Sequence, residues 1–220
     1  LILTADNDYQ RSLMLLAEVL RRSQFIFYSP ISIRILRLAN QIFPQNISTL
    51  LYLGIAELTT NYPEGIIYLQ QARKNKFDDP AILQAIYLNR RDNNLDEAKY
   101  WLKNAQSICK LSEESYEWTW QTLAIDSEFT YVTFEKDLLL AVEPSFRSIV
   151  TSVLIAQGDW FEYEMEFWRE NIYPNMTVID VGANAGLYTF SAAKRVGNAG
   201  IVLAVEPFSG CISYLHETCR

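Results

Sequence analysis

Basic residues are the first shortage. Lys and Arg total 19 against 26 Asp and Glu, so the 220-residue chain carries a formal net charge of -7. A nucleic-acid surface needs a basic face to neutralise phosphates. Here the basic clusters are short, as at Arg21-Arg22 and Arg90-Arg91, which argues against nucleic acid as a partner. Histidine is almost absent: His216 stands alone, on an expected helix, where a lone histidine is ordinarily structural or surface. Three cysteines (Cys109, Cys211 and Cys219) have no metal-type spacing and read as free thiols in a reducing cytoplasm. No apolar run approaches the about 18 residues that a membrane span requires. The N-terminus does not have the pattern of a secretory signal. Asn46-Ile-Ser48 and Asn175-Met-Thr177 match the glycosylation pattern, but without a secretory route both are chance matches. These features together point to the cytoplasm.

What remains is ample for a core: half the residues are hydrophobic and 13 % are aromatic. Glycine is sparse up to residue 112, with only Gly54 and Gly65, and leucine, isoleucine, alanine and tyrosine dominate. This region reads as helical. Small residues recur at a spacing of 33, at Ser32, Gly65 and Ala98 and again at Ala39, Ala72 and Ala105. Leu36, Leu69 and Leu102 keep the same interval. Small residues at fixed spacing let paired helices approach closely. Asn61-Tyr-Pro-Glu64 and Asn94-Leu-Asp-Glu97 fall in register as turns, and Pro44 marks a helix stop. A period of this length with paired helices resembles tetratricopeptide repeats. Three units are expected, at about 10–45, 46–78 and 79–112. The first helix of unit one, Leu13 to Leu20, departs from the others as a cap does, and a long aromatic loop follows at Arg21 to Pro30. The repeat signature itself is poorly kept, with Leu53-Gly54 its nearest approach. Solenoids commonly bind partners on a concave face. Tyr52, Tyr62, Tyr68, Tyr87, Tyr100 and Trp101 are candidates to line such a groove for a protein partner. The plainer reading makes them core residues of a scaffold.

Residues 113–150 read as a connector. Trp118 and Trp120 belong to an expected capping helix. Phe129–Phe134 and Leu138–Val142 read as two strands of a hairpin, with Glu135-Lys-Asp137 as the turn. Ser148 to Ala156 fits strand or helix equally well. Residues 158–173 read as an amphipathic helix, with Phe161, Met165 and Trp168 in an apolar stripe and Glu162, Glu164, Glu166 and Glu170 as a solvated, negative face. Without a histidine, those carboxylates do not form a convincing metal set.

The most informative stretch is Thr177-Val-Ile-Asp-Val-Gly-Ala-Asn-Ala-Gly-Leu-Tyr-Thr-Phe190. Val178, Ile179 and Val181 suit a strand covered on both faces. Gly182 and Gly186 bracket Ala183-Asn-Ala185, a turn with little side-chain bulk where a ligand can approach the backbone. Leu187 to Val196 reads as a helix presenting Leu187, Phe190, Ala193 and Val196, and Gly197 stops it. Ile201–Val205 is a second apolar strand, ending on Glu206-Pro207, 24 positions beyond Gly182. This is a βαβ unit with an acid at the tip of its second strand. Nucleoside ligands lie across the carboxyl ends of such strands, and a tip acid accepts hydrogen bonds from ribose hydroxyls. Dinucleotide sites use G-x-G-x-x-G to bring a pyrophosphate to the helix N-terminus. Here the pattern is Asp180-x-Gly182-x-x-x-Gly186. That spacing by itself shows only a nucleoside-type pocket; it is wrong for a pyrophosphate, which places a nicotinamide enzyme third, and it is compatible with S-adenosylmethionine, a ligand without phosphate. Asp180 could accept from its ammonium group directly or through water.

Val178-Ile-Asp-Val-Gly-Ala-Asn-Ala-Gly186, Tyr188-Thr-Phe190, Ala192-Ala193, Val196-Gly197 and Glu206-Pro207, with the lead-in Gly158-Asp-Trp-Phe-Glu162, Phe167-Trp168 and Pro174-Asn-Met-Thr177, resemble the FkbM family of S-adenosylmethionine-dependent methyltransferases. The resemblance covers roughly residues 126–220. It implies a Rossmann-like sheet and O-methylation of a small-molecule or sugar hydroxyl. The expected fold is therefore a tetratricopeptide-like helical domain at 1–112, a connector with a β-hairpin at 113–150, and the N-terminal portion of a Rossmann-like methyltransferase domain at 151–220. The family's sheet has several more strands, so the chain is expected to be a fragment that does not turn over alone. The expected cofactor contacts are Asp180, Gly182, Ala183, Asn184, Gly186 and Glu206. No catalytic base is identifiable. For Trp160, Phe161 and Glu162 a place at the rim of the cofactor pocket is the sharper alternative to a helix merely covering the sheet. The rival function is a helical-repeat adaptor whose half-sheet is structural only.

Overall fold

The structure, a computed structural model, describes residues 8–14, 28–111 and 116–220. It is mostly helical with small regions of sheet, and the chain divides into two compact units, 1–77 and 78–220. Among the described residues no helix is long and apolar enough to cross a membrane.

In the first unit, residues 8–14 are helical (α1), followed by α2 (Pro30–Ile42), α3 (Ile47–Thr59) and α4 (Gly65–Asn75). Most of the helix and loop expected at Leu13 to Pro30 lies outside the described residues. Side-chain caps start two of these helices. Ser29 Oγ accepts from the Ser32 N–H at the head of α2, and Asn46 Oδ1 accepts from the Thr49 N–H at the head of α3. The α3–α4 pair is antiparallel and unusually close. A Cβ placed on Gly65 would lie 2.5 Å from the Gly54 carbonyl oxygen, and one on Gly54 would lie 2.7 Å from Leu69. Two of the three 33-spaced small positions, Ser32 and Gly65, are buried here, as is Ala72. Arg37 Nε reaches the buried carboxylate of Glu57 at 2.8 Å and covers the ring of Tyr62. Tyr62 is otherwise exposed.

The second unit opens on another antiparallel pair, α5 (Pro80–Asn93) and α6 (Leu95–Cys109). Asp79 caps α5 through the Ala81 and Ile82 N–H groups. Asn94 ends α5 and caps α6, and Arg90 pairs with Glu97 across the corner. The boundary between the units falls at Phe77/Asp78, so α5 and α6 belong to the second unit. The physical reason is a set of bonds from α5 to the segments after it. Gln84 Nε2 donates to Thr130 Oγ1 at 3.0 Å and to the Tyr131 carbonyl at 2.7 Å. Arg91 donates to the carbonyls of Ile125, Ser127 and Pro144. Tyr87 is core and stacks on Trp120, which with Trp118 is a buried residue of the 3₁₀ segment Tyr116–Thr122.

Strands β1 (Thr130–Phe134) and β2 (Leu138–Val142) form an antiparallel hairpin with Phe134 opposite Leu138. Residues 149–157, open to either reading from the sequence, form helix α7 (Ile149–Gln157), capped by Ser148 and stopped by Gly158 at φ 67°. Helix α8 covers only Tyr163–Asn171, not 158–173. The left-handed Gly158 is spent ending α7, and Asp159 to Glu162 are consequently irregular. Next come β3 (Thr177–Val181), α9 (Leu187–Val196), β4 (Ile201–Val205) and α10 (Ser209–Thr218). β3 and β4 pair in parallel with Asp180 beside Ala204 and Val181 beside Val205.

Two expectations need correction. β3 is covered on one face only: Ile179 is 59 % and Val181 77 % exposed, and Ile201, Leu203 and Val205 share that open face. Within the described chain, only α9 packs against these strands as a helix crossing between them, and side chains alternate faces along a strand. The buried stripe of α9 is also rotated. Leu187, Thr189, Ser191, Ala192 and Val196 are buried, while Ala193 is exposed and Ala192 takes its place against Ile172 and Val196.

The hairpin turn is held by one carboxylate. Glu135 and Lys136 take φ values of 47° and 71°, unfavourable for residues with a Cβ. The Glu135 side chain is only 6 % exposed and accepts from Arg169 Nε (2.6 Å), Ser191 Oγ (2.6 Å) and Arg195 Nη1 (3.0 Å). Lys194 bridges to Asp137 in the same turn. The carboxylate thus ties the hairpin to α8 and α9. Burial by itself pushes Glu135 up. The hydrogen bonds of Ser191 and Arg195, with the charges of Arg169 and Arg195, outweigh it and leave Glu135 below its ordinary 4.5.

Gly65→Ala is expected to destabilise the protein by about 1–3 kcal/mol, because the clash with a backbone oxygen outweighs the gain in helix propensity of about 1 kcal/mol. The urea midpoint measures this. Glu135→Gln should cost about 1–3 kcal/mol at neutral pH. A group whose folded pKa is depressed contributes stability above its unfolded value and loses it as pH falls through the folded one. The wild-type urea midpoint should therefore drop more steeply than the variant's below about pH 4.5.

Candidate functional site

The six positions expected as cofactor contacts, Asp180, Gly182, Ala183, Asn184, Gly186 and Glu206, lie at the carboxyl ends of β3 and β4. The turn after β3 reverses tightly, with positive φ at Gly182 (85°), Asn184 (49°) and Gly186 (94°). It is pinned to the end of β4: the Gly182 and Ala183 N–H groups both donate to the Val205 carbonyl, at 2.8 and 3.2 Å. The Gly186 N–H donates to the Ala183 carbonyl at 2.8 Å and leads into α9. Ala183 and Ala185 are buried, so their small size serves packing under the turn.

The two glycines do different work. A Cβ on Gly182 would meet nothing within 4 Å, so this backbone faces open space that a ligand can enter. A Cβ on Gly186 would lie within 2.7 Å of Phe190 and Leu215. The latter glycine is required by the approach of α10 and α9 side chains, in addition to its φ.

Asp180 is 8 % exposed, and its Oδ2 accepts from Thr189 Oγ1 at 2.5 Å. This bond ties the end of β3 to the first turn of α9. Glu206 sits just past β4. Its Oε2 accepts from the Asn184 N–H at 2.8 Å and its Oε1 from the Phe208 N–H at 2.9 Å. Two backbone donors therefore hold this carboxylate at the strand tip. The Cys211 thiol, at the head of α10, donates to Asn184 Oδ1 at 3.4 Å. Burial, then the charge of Glu206, pushes that thiol up, which keeps it protonated as a donor.

A third carboxylate joins them. Glu162, the residue before α8, accepts from the Tyr188 hydroxyl at 2.9 Å through Oε2. Tyr188 is itself fixed: Trp168 Nε1 donates to its carbonyl at 2.9 Å and the two rings meet edge-on at 5.5 Å. Burial, then the bond to Glu162, raises the Tyr188 phenol well above its ordinary value, so it remains a neutral donor. Glu162, Asp180 and Glu206 thus surround the start of α9 with acceptors. Such a rim favours hydroxyls and cationic groups and repels a pyrophosphate. Among the described residues no group of histidine, cysteine and carboxylate side chains is arranged to hold a metal. His216 is exposed, and Glu164, Glu166 and Glu170 face solvent.

The roles of Thr189 and Cys211 escape sequence reasoning. Nothing in local spacing ties residue 189 to 180 or 211 to 184. Only the helix crossover brings them together. Comparison with known proteins finds no matching family, curated protein or solved structure.

Gly186→Ala should lower the melting temperature more than Gly182→Ala, since both carry the penalty of positive φ but only the former also clashes. Calorimetric unfolding of the two variants, with a difference of about 1–3 kcal/mol, checks this.

Proposed function

We propose that the second unit carries the cofactor-binding part of an S-adenosylmethionine-dependent methyltransferase of FkbM type. The single observation that supports this most is the Glu206 carboxylate, aimed at the β4 tip by two backbone N–H groups beside the open Gly182 backbone. A ribose diol in front of β4 would find its acceptor there. S-adenosylmethionine bears a sulfonium and an ammonium against one carboxylate, and an acidic rim complements that net positive charge. A nicotinamide dinucleotide would bring its pyrophosphate against the same carboxylates, which disfavours it.

In this reading Glu206 holds the ribose. Gly182 allows close approach, Ala183 and Ala185 leave room over the turn, and Asp180 with Asn184 fixes the turn's shape. The cofactor supplies a methyl group on sulfur, transferred in line to an oxygen of a small-molecule or sugar acceptor. Such a displacement depends mainly on positioning. The βαβ unit then belongs to a larger Rossmann-like sheet, and the open face of Ile179, Val181, Ile201, Leu203 and Val205 is the surface that further elements of such a sheet would cover. The helix pairs α3–α4 and α5–α6 are read as tetratricopeptide-like units, a scaffold with the capacity to hold a protein partner. We infer a cytoplasmic setting, which suits three cysteines of odd number without metal-type spacing.

Glu206→Ala should weaken S-adenosylhomocysteine binding by at least about tenfold, the scale of losing hydrogen bonds to a charged group. Isothermal calorimetry on wild type and variant, with unfolding curves to confirm that both fold, decides it. An unchanged dissociation constant would remove Glu206 from the site.

A further inference from the structure

Helices α8 and α9 run in the same direction, side by side. At their starts, Glu162 is bonded to Tyr188. Near their ends, Ile172 packs on Ala192 and Val196, and the Asn175 N–H donates to the Val196 carbonyl at 2.9 Å. The start of α9 follows the carboxyl end of β3, so Glu162 stands on the same rim as Asp180, Gly182 and Glu206. It reaches that rim from a different segment, the irregular stretch Asp159 to Glu162.

The three carboxylates on this rim are not equivalent. Asp180 is buried and turned to Thr189. Glu206 is committed to the β4 tip. Glu162 is half-buried and receives the Tyr188 hydroxyl on Oε2. Tyr188 is locked from behind by Trp168 through both its carbonyl and its ring, so the carboxylate is held in one place. Two residues earlier, the Trp160 indole Nε1 is buried without a hydrogen-bond partner. An orphaned buried donor is destabilising, and its ring is packed against Phe161 with centroids 4.8 Å apart. One segment therefore holds, within three residues, a fixed anion and a buried N–H without a partner.

We propose that Asp159–Glu162 is the recognition segment for a zwitterionic amino-acid group, with Glu162 meeting the ammonium and Trp160 Nε1 the carboxylate. This rests on the S-adenosylmethionine reading and assigns the aminoacyl end of that ligand to residues outside the glycine turn. It also moves the ammonium contact from Asp180 to Glu162.

The test compares two ligands on the full chain by calorimetry. S-adenosylhomocysteine carries the amino-acid group, and 5′-methylthioadenosine lacks it. Glu162→Gln and Trp160→Phe should each weaken S-adenosylhomocysteine by about fivefold or more, the worth of a hydrogen bond to a charged group, and leave methylthioadenosine unchanged. Glu206→Ala should weaken both. Removing the indole N–H should leave the melting temperature unchanged or raise it, which separates ligand recognition from a structural role. If Glu162→Gln and Trp160→Phe leave S-adenosylhomocysteine unchanged while Glu206→Ala weakens it, the segment's assignment is overturned and the cofactor reading stands. Equal losses for the two ligands also overturn the assignment. If the wild-type chain binds neither ligand, the cofactor reading fails and the assignment falls with it.

Discussion

The second unit depends on the burial of one carboxylate. Glu135 sits in a hairpin turn whose backbone is unfavourable for it and accepts hydrogen bonds from Arg169, Ser191 and Arg195. A carboxylate so enclosed requires its cationic partners to stay in place. Those partners belong to α8 and α9, so the requirement fixes both helices against β1 and β2. Their parallel course sets Glu162 and Tyr188 beside the start of α9. The geometry of the rim is thus decided one or two turns away from it, among charges that lie outside it.

At the rim itself, backbone donors and small residues do most of the positioning. The Gly182 and Ala183 N–H groups close on Val205, and the Asn184 and Phe208 N–H groups aim Glu206. The hydrogen bond between Asp180 and Thr189 locks strand to helix. These are local constraints with no long flexible side chains, which makes the open backbone at Gly182 a preorganised surface. The same economy leaves the opposite face of β3 and β4 apolar and exposed, since α9 covers only one side.

Much of this was legible beforehand. The βαβ unit could be read because strand, turn and helix each follow local rules: β-branched runs, glycine where φ is positive, and a glycine stop. The hairpin at 130–142 was equally plain from two short apolar and aromatic runs around a charged turn. The residues of the glycine turn were recognisable from spacing alone. Less legible were the extent of α8, the rotation of α9 and the partition of the chain at Phe77/Asp78. Gly158 could end one helix or begin the next. Ala192 and Ala193 are chemically alike, and only Ile172 distinguishes them. Gln84 and Arg91 look like ordinary helix-surface residues until the segments they bond are folded against them.

By itself, then, the sequence determined most of the strands and helices, residues 149–157 and the bounds of α8 excepted, that an acid follows β4, and that glycines flank the turn after β3. Those properties rest on contacts between near neighbours and on backbone sterics. Only the tertiary structure decided that Gly182 faces open space while Gly186 is enclosed. It alone joined Asp180 to Thr189 and brought Glu162 to the rim, and it alone left the outer face of β3 uncovered. Each of those depends on pairs of residues that are distant in the chain, where no local rule can choose between burial and exposure.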